Sequence, residues 1–239
     1  MKAVSPEYQQ VALPENQETE SLDLLAALTH PDFLNGVRAI ARHARLKGIE
    51  GGLAVYRETV GSLSVSSPIL PSIEEIRRLP IYSSLPAEEA ALAGYTSFRA
   101  HELLMYEDPQ SGNLIDRRDV FLFIHSHPLH HEGEQKNSIN SLAPSLSDLE
   151  VSETLNRCSP GVTEGILVSH RKDTRLLLYK ASPSRDFQQY YTRFNKDPGR
   201  QELLRVMQES GYNIAELQIG PPNKDYAAQV AEAAIVLNS

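Results

Sequence analysis

The sequence predicts an α/β protein, a layer sandwich in which helices flank a mixed central β-sheet, with a helical extension at the C-terminus. Short apolar runs rich in β-branched and aromatic residues indicate strands, and longer segments with apolar residues at helical spacing indicate helices. The two kinds of segment alternate along the chain, which is typical of a sheet covered by helices. The chain has 239 residues and 41% hydrophobic content. A core of about 130 to 150 residues with appended elements is therefore expected.

The N-terminal segment, residues 1–30, is predicted to be a mobile arm. Residues 1–20 are rich in Glu, Gln and Pro and contain few apolar positions, a composition that buries little surface. A short helix can begin within 22–28, ahead of Pro31. No residue of this segment suggests catalysis.

A helix is predicted over residues 32–47, where apolar residues recur at helical spacing and Gly48 follows as a C-terminal cap. The strand predicted after it, 49–56, carries an acid, Glu50, ahead of small and apolar residues. An acid at the junction of a helix and a buried strand is unusual if it merely faces solvent. Glu50 is therefore a candidate functional residue, with a surface position as the alternative.

The run 120–124 is apolar and rich in aromatic and β-branched residues, and it predicts a buried strand. Because side chains alternate faces along a strand, His125 and His127 are expected to point the same way, with Ser126 turned to the opposite face. Pro128 cannot donate a ladder hydrogen bond and is expected to end the strand. The two imidazoles should then lie at one end of a sheet, open to substrate.

A helix is predicted after Ser145 and Asp148, with Leu149, Val151 and Leu155 on its apolar face. Ser145 and Asp148 have the spacing of a helix-opening capping box, so a structural role is one interpretation. A helix N-terminus also presents a hydroxyl and an acid in a fixed, partly exposed geometry. Both roles can coexist.

The remaining elements suggest how the chain is divided. They are predicted to be strands 164–170 and 175–180, helices 200–211 and 226–237, and a possible strand 214–219 between those helices. We expect three parts: the arm 1–30, a catalytic domain 31–182, and C-terminal accessory helices in 183–239 that pack on the core. Docking of a partner is the alternative role of the last part.

The acid, the two histidines and the Ser-x-x-Asp pair together resemble the JAMM (MPN+) zinc metalloprotease family, which includes deubiquitinase-like isopeptidases. The family pattern is an upstream Glu, then His-x-His, then Ser-x-x-Asp, and the resemblance covers roughly residues 32 to 182. It implies an MPN-like (cytidine-deaminase-like) fold. It also implies that one Zn²⁺ is bound by His125, His127 and Asp148, that Glu50 is the general acid/base, and that Ser145 stabilises the tetrahedral intermediate.

The chemistry suits these residue types. Zinc bound by two neutral imidazoles and a carboxylate keeps one position open and lowers the pKa of its bound water towards about 7. A nearby carboxylate can take the proton of that water and return it to the departing amine, which is the role expected of Glu50. A hydroxyl at a helix N-terminus, that of Ser145, can meet the negative charge on the carbonyl oxygen.

Two features depart from the family pattern. The interval 128–144 between His127 and Ser145 is longer than usual, and its polar composition suggests an exposed insertion that changes the rim of the site. His130 and His131 begin it and are candidate substrate-rim residues, with a histidine metal cluster as the alternative.

The interval from Glu50 to His125 is also generous, so the assignment of the general base leaves alternatives. Glu58 and Glu102 are the other candidates. Glu50 is favoured because a Gly-Gly-Leu-Ala-Val-Tyr strand follows it directly.

The expected activity is hydrolysis of an amide or isopeptide bond, most simply removal of ubiquitin or a ubiquitin-like modifier from a conjugate. Small peptides or amino-acid conjugates are the alternative substrates. Two alternatives to an enzyme are an inactive scaffold subunit, which is disfavoured because every ligand type is present, and a metal-dependent sensing module built on the histidines.

Composition limits the partners. The formal net charge is −8 and there is no Lys/Arg-rich run, which disfavours nucleic acid. No apolar stretch approaches the roughly 20 residues of a membrane span, and no signal peptide is evident, so a cytoplasmic protein is expected. Cys158 is the only cysteine, so the metal site is not a thiolate one.

Overall fold

The centre of the protein is a six-stranded, open, mixed sheet. A computed structural model describes residues 15–58, 62–78, 103–107, 114–117, 119–128, 142, 144, 146–170, 173–182, 200–220 and 224–238. Its strands are β1 (Gly52–Arg57), β2 (Leu63–Val65), β3 (Met105–Glu107), β4 (Leu114–Asp116), β5 (Val120–Ser126), β6 (Thr163–His170), β7 (Asp173–Ala181) and β8 (Tyr212–Gln218). The sheet order is β2-β1-β5-β6-β7-β8, and β3 and β4 pair separately.

The described ranges also contain six helices. They are α1 (Glu15–Thr29), α2 (Pro31–Lys47), α3 (Ile73–Arg77), α4 (Leu146–Cys158), α5 (Arg200–Glu209) and α6 (Lys224–Leu237). Apolar residues of α1, α2 and α6 share one core cluster with one face of the sheet. Residues of α4 and α5 pack on the opposite face. The predicted α/β architecture with a mixed sheet flanked by helices is thus confirmed.

Strands β5 and β6 form the parallel pair of the sheet, and the other neighbouring strands pair antiparallel. A parallel pair needs a crossover connection, and α4 supplies it between β5 and β6. All seven residues of β5 are buried, as its apolar run predicts. The crossover brings the end of β5 and the start of α4 to the same end of the sheet.

Helix α2 ends as the sequence predicts. Gly48 has a left-handed backbone, with φ of 65°, and its N–H donates to the carbonyl of Ala44 at 2.9 Å. The chain then turns into β1, and Ile49 and Glu50 are buried at this junction. The helix cap therefore decides where Glu50 enters the sheet.

Helix α1 lies within the segment 1–30 that was predicted to be a mobile arm, and it includes the short helix expected within 22–28. Leu24, Ala27 and Leu28 of α1 are buried, and the Tyr226 hydroxyl of α6 donates to the carbonyl of Leu28 at 3.0 Å. The partner of α1 comes from the other end of the chain, so local composition could not reveal it. Residues 1–14 lie outside the described residues.

The C-terminal segment contributes a strand to the main sheet as well as helices. Strand β8, which includes most of the possible strand expected over 214–219, pairs with β7 along its whole length and forms one edge of the sheet. Helix α6 packs on the sheet, as expected. Among the helices described, none combines the length and apolar character needed to cross a membrane.

Candidate metal centre

The two predicted histidines lie side by side at the end of β5. His125 is the penultimate residue of the strand and pairs with Ile166 of β6, and the N–H of His127 donates to the carbonyl of Leu167 at 2.9 Å. This last bond continues the alternation of the strand beyond Ser126. The Nε2 atoms of the two rings are 3.1 Å apart, with ring centroids separated by 5.0 Å.

Asp148, in the first turn of α4, lies directly against both rings. Its Oδ1 is 3.3 Å from Nε2 of His125, and its Oδ2 is 3.3 Å from Nε2 of His127. The carboxylate is 3% exposed and the His125 side chain 5% exposed. The end of β5 and the first turn of α4 therefore bring together two imidazoles and an acid in one cluster.

Glu50 completes the cluster from the other side of β5. The antiparallel pairing of β1 with β5 sets Gly52 opposite His125, so the residue two positions earlier reaches the end of the His strand. Glu50 is buried, and one potential ligand atom from each of Glu50, His125 and His127 lies within 4.8 Å of the others. These three side chains form a buried group that could hold a metal ion.

Ser126 fixes the backbone beside Glu50 and was not singled out by the sequence analysis. Its hydroxyl accepts a hydrogen bond from the N–H of Gly51 at 2.9 Å, and its own N–H donates to the carbonyl of Gly51 at 3.0 Å. The side chain is fully buried on the face opposite the histidine rings, as alternation predicts. The signal in the sequence was a hydroxyl side chain between the two histidines. Its partner, Gly51, is set by strand pairing, which the sequence did not reveal.

No protein-family model, curated protein or solved structure matches the chain. The candidate site rests on the chemistry and geometry of this chain, and the resemblance to the JAMM family stays a prediction.

The protonation states of His125 and Asp148 suit the binding of a cation. Burial lowers the pKa of His125, even though Asp148 opposes that shift, so the ring is neutral at neutral pH. Burial alone would raise the pKa of Asp148, but its close contacts with His125 and His127 outweigh burial and hold the pKa well below its usual value. A neutral imidazole and an ionised carboxylate are the forms that bind a metal.

The arrangement offers two sets of three donors around the same pair of rings. One set combines His125 and His127 with Glu50, and the other combines them with Asp148. Imidazole suits Zn, Cu, Fe and Ni, and a carboxylate is compatible with each. The donor types therefore suit a metal ion without selecting one element.

The other predicted site residues either lie away from this cluster or fall outside the described residues. Ser145, His130 and His131 lie outside the described residues, as does the alternative base Glu102. Glu58 is exposed after the end of β1, where its Oε1 accepts a hydrogen bond from the Ser64 hydroxyl at 2.6 Å. Of the two candidate bases described, Glu50 is the one beside the histidines.

Proposed function

We propose that the protein is a zinc-dependent isopeptidase or peptidase that hydrolyses an amide or isopeptide bond with water activated at the His125, His127 and Asp148 site. One observation carries the proposal. The two imidazole Nε2 atoms and the Asp148 carboxylate lie 3.1, 3.3 and 3.3 Å from one another, with the Glu50 carboxylate beside them.

The separations of the donor atoms support a zinc site. With Zn–N and Zn–O bonds of about 2.0 to 2.2 Å and tetrahedral angles, two donors would be separated by about 3.3 to 3.6 Å. The two Nε2 atoms are 3.1 Å apart, and Asp148 places Oδ1 3.3 Å from Nε2 of His125 and Oδ2 3.3 Å from Nε2 of His127. His125, His127 and one oxygen of Asp148 would hold the ion and leave a position for water or substrate.

The two carboxylates then take different roles. Asp148 places one oxygen 3.3 Å from Nε2 of His125 and the other 3.3 Å from Nε2 of His127, which favours it as the third ligand. Glu50 reaches the cluster from the helix-to-strand junction and stays within 4.8 Å of the histidine donors. That position suits a proton carrier, which must meet the attacking water rather than the metal.

Zinc, when bound, supplies Lewis-acid polarisation and lowers the pKa of water towards neutrality. Glu50 takes a proton from the water as the water oxygen forms a bond to the carbonyl carbon. The same proton moves to the amide nitrogen as the C–N bond breaks, so the products are a carboxylic acid and an amine, and the acid then gives its proton to the amine. A base and acid in one residue contributes roughly 100- to 10,000-fold.

The substrate class follows from the motif rather than from the cluster. The resemblance to JAMM isopeptidases supports conjugates of ubiquitin or a ubiquitin-like modifier as substrates, in an MPN-like domain. Small peptides and amino-acid conjugates are the second substrate class, since the same bond is cleaved. A scaffold role is disfavoured because Glu50, His125, His127 and Asp148 are all present and converge.

The full chain should first be assayed for bound metal, then for cleavage of ubiquitin-like conjugates, short peptides and amino-acid conjugates. We expect about one zinc per chain and cleavage that a chelator abolishes and added Zn²⁺ restores. Glu50→Gln is expected to keep the metal and lose cleavage. Glu58→Gln is the matched control, because this acid is exposed and bonded to Ser64 away from the cluster.

Three results would contradict the proposal. Cleavage that survives complete removal of metal excludes metal-activated water. Undiminished turnover by Glu50→Gln would show that another residue is the general base. Stoichiometric metal without cleavage of any substrate class favours the sensing module instead.

A further inference from the structure

We propose that Ser152 and Glu164 are positioning residues that hold Asp148 against His125 and His127, an inference that rests on the metal site proposed above. Ser152 lies on α4 and Glu164 on β6, and both side chains are buried. Their role would be to set the position of the helix that carries Asp148.

The contact itself is short and fully enclosed. The Ser152 hydroxyl donates to Oε1 of Glu164 at 2.5 Å, and the two residues are 0% and 3% exposed. Hydroxyl-to-carboxylate bonds of this length belong to the strong, charge-assisted class. A buried carboxyl group is costly unless it is hydrogen-bonded, so this pair strongly favours one position of α4 relative to β6.

A polar stripe runs along the buried face of α4 from the metal site inward. Asp148, Ser152 and Asn156 are four residues apart and all buried, and Nδ2 of Asn156 donates to the carbonyl of Ser152 at 3.0 Å. Residues at this spacing lie on one face of a helix. Apolar residues usually occupy such a face, so the polar stripe calls for a specific explanation.

The two contacts between this stripe and the sheet have matching spacing. Asp148 meets His125 of β5, and Ser152 meets Glu164 of β6, which pairs with Phe123, two residues before His125. Four residues advance about 6 Å along a helix. Two residues advance about 6.6 Å along a strand. The helix and strands therefore run alongside one another, and the Ser152–Glu164 contact fixes the axial position at which Asp148 meets the histidines.

Metal binding is more sensitive to this position than folding is. Ligand distances in a functional site hold to within about 0.2 Å, so a small slide or rotation of α4 would weaken the Asp148 bond. Groups that orient metal ligands typically change metal affinity by roughly 10- to 100-fold when removed. The apolar packing of α4, including Leu149 and Leu155, would still hold the helix on the sheet.

The test compares Ser152 of α4 with Ser159, which follows the end of that helix, in the full chain. Ser152→Ala removes the contact with Glu164. Ser159→Ala is the matched control, because Ser159 is also buried and its hydroxyl donates to the carbonyl of Val120 at 2.7 Å, just beyond the far end of α4. Zn²⁺ and Co²⁺ affinities are measured by competition with a chromophoric chelator, together with thermal unfolding of the metal-free proteins.

We expect Ser152→Ala to lose roughly 10-fold or more in affinity for both ions, whereas Ser159→Ala keeps the wild-type affinity. Glu164→Leu is expected to lose metal affinity. Glu164→Gln, which retains an acceptor oxygen for Ser152, is expected to keep most of it. The visible absorption spectrum of the Co²⁺ complex should change in Ser152→Ala and stay unchanged in Ser159→Ala.

Equal losses of affinity in Ser152→Ala and Ser159→Ala, or none in either, would overturn the positioning role while leaving the proposed metal site intact. Failure of the wild-type protein to bind either ion would overturn both. The two failures are therefore distinguished by the wild-type titration alone.

Discussion

Nε2 of His125 lies 3.3 Å from Oδ1 of Asp148, although the two residues belong to different elements on either side of the β5-to-α4 crossover. The contact exists because α4 returns over the sheet beside β5 and presents its first turn to the end of that strand. Both groups are buried, so each lacks the water that would otherwise solvate it. A bound cation would give both groups a partner in place of that water.

Removing Asp148 is expected to abolish metal binding. Asp148→Ala deletes the donor that faces both rings, and His127→Ala deletes one of the two imidazoles, so each leaves at most two ligands of the proposed site. Metal content after dialysis, measured by elemental analysis, should fall from about one zinc per chain to near zero. Asp173→Ala, which removes an acid 42% exposed and paired with Arg175, should keep its metal. Stoichiometric zinc in Asp148→Ala would refute the ligand assignment.

Loss of the Ser126 hydroxyl is expected to slow cleavage without removing the metal. Ser126→Ala leaves the Gly51 N–H without its hydroxyl acceptor, at a cost of about 1–3 kcal/mol in folding free energy, and frees the peptide that follows Glu50. A misplaced proton carrier costs roughly 10- to 100-fold in turnover. Single-turnover rates of the metal-loaded proteins would measure it.

The control is the same change in a background that lacks the base. If Ser126 acts by placing Glu50, then Ser126→Ala should produce little further loss of turnover in the Glu50→Gln protein. Fully additive losses in the double variant would assign Ser126 a general structural role instead.

A methyl group at Gly51 is expected to destabilise the protein near the site. A Cβ there would lie 2.9 Å from the carbonyl oxygen of Ile69 and 3.1 Å from Cγ2 of Ile40, and the first of these atoms is backbone. Gly51→Ala should reduce the free energy of unfolding by about 1–3 kcal/mol in denaturant titrations. Gly220→Ala, where nothing lies within 4 Å of an added Cβ, should change it by less than about 0.5 kcal/mol.

The stability of the protein is expected to fall at alkaline pH through Tyr226. Burial raises the pKa of this phenol to about 12, whereas an unfolded tyrosine ionises near pH 10. Between these values the unfolded chain releases the proton first, so stability is complete below pH 10 and is lost as the pH rises towards 12. The loss attributable to this group is up to roughly 3 kcal/mol.

Tyr226→Phe provides the comparison. At neutral pH it should be less stable than wild type by about 1 kcal/mol, because the hydroxyl no longer donates to the carbonyl of Leu28. Between pH 10 and 12 the difference should shrink and reverse, as followed by urea unfolding. A constant difference across this range would show that Tyr226 does not titrate as proposed.

Much of the local structure could be predicted because its causes are local. The cap at Gly48, the buried strand before His125 and the helix after Ser145 follow from residue types within a few positions. The convergence of His125 and His127 follows from alternation along a strand. These features needed no knowledge of distant segments.

Contacts between distant segments could not be predicted. The short helix expected within 22–28 forms as part of α1, but its partner, α6, comes from the opposite end of the chain. The possible strand 214–219 forms as β8, but its pairing with β7 in the main sheet could not be read from the sequence. Composition within a short window cannot report either pairing.

By itself, the sequence determined the kinds of elements, their order and the donor types of the site, since each depends on spacing within one helix or strand. Tertiary structure alone decided that Glu50 rather than Glu58 lies beside the histidines, that Ser126 holds Gly51, and that Ser152 bonds Glu164. Those contacts depend on strand register and on the crossover that packs α4 against the sheet. Register and crossover are set by the packing of the whole sheet, which no single segment encodes.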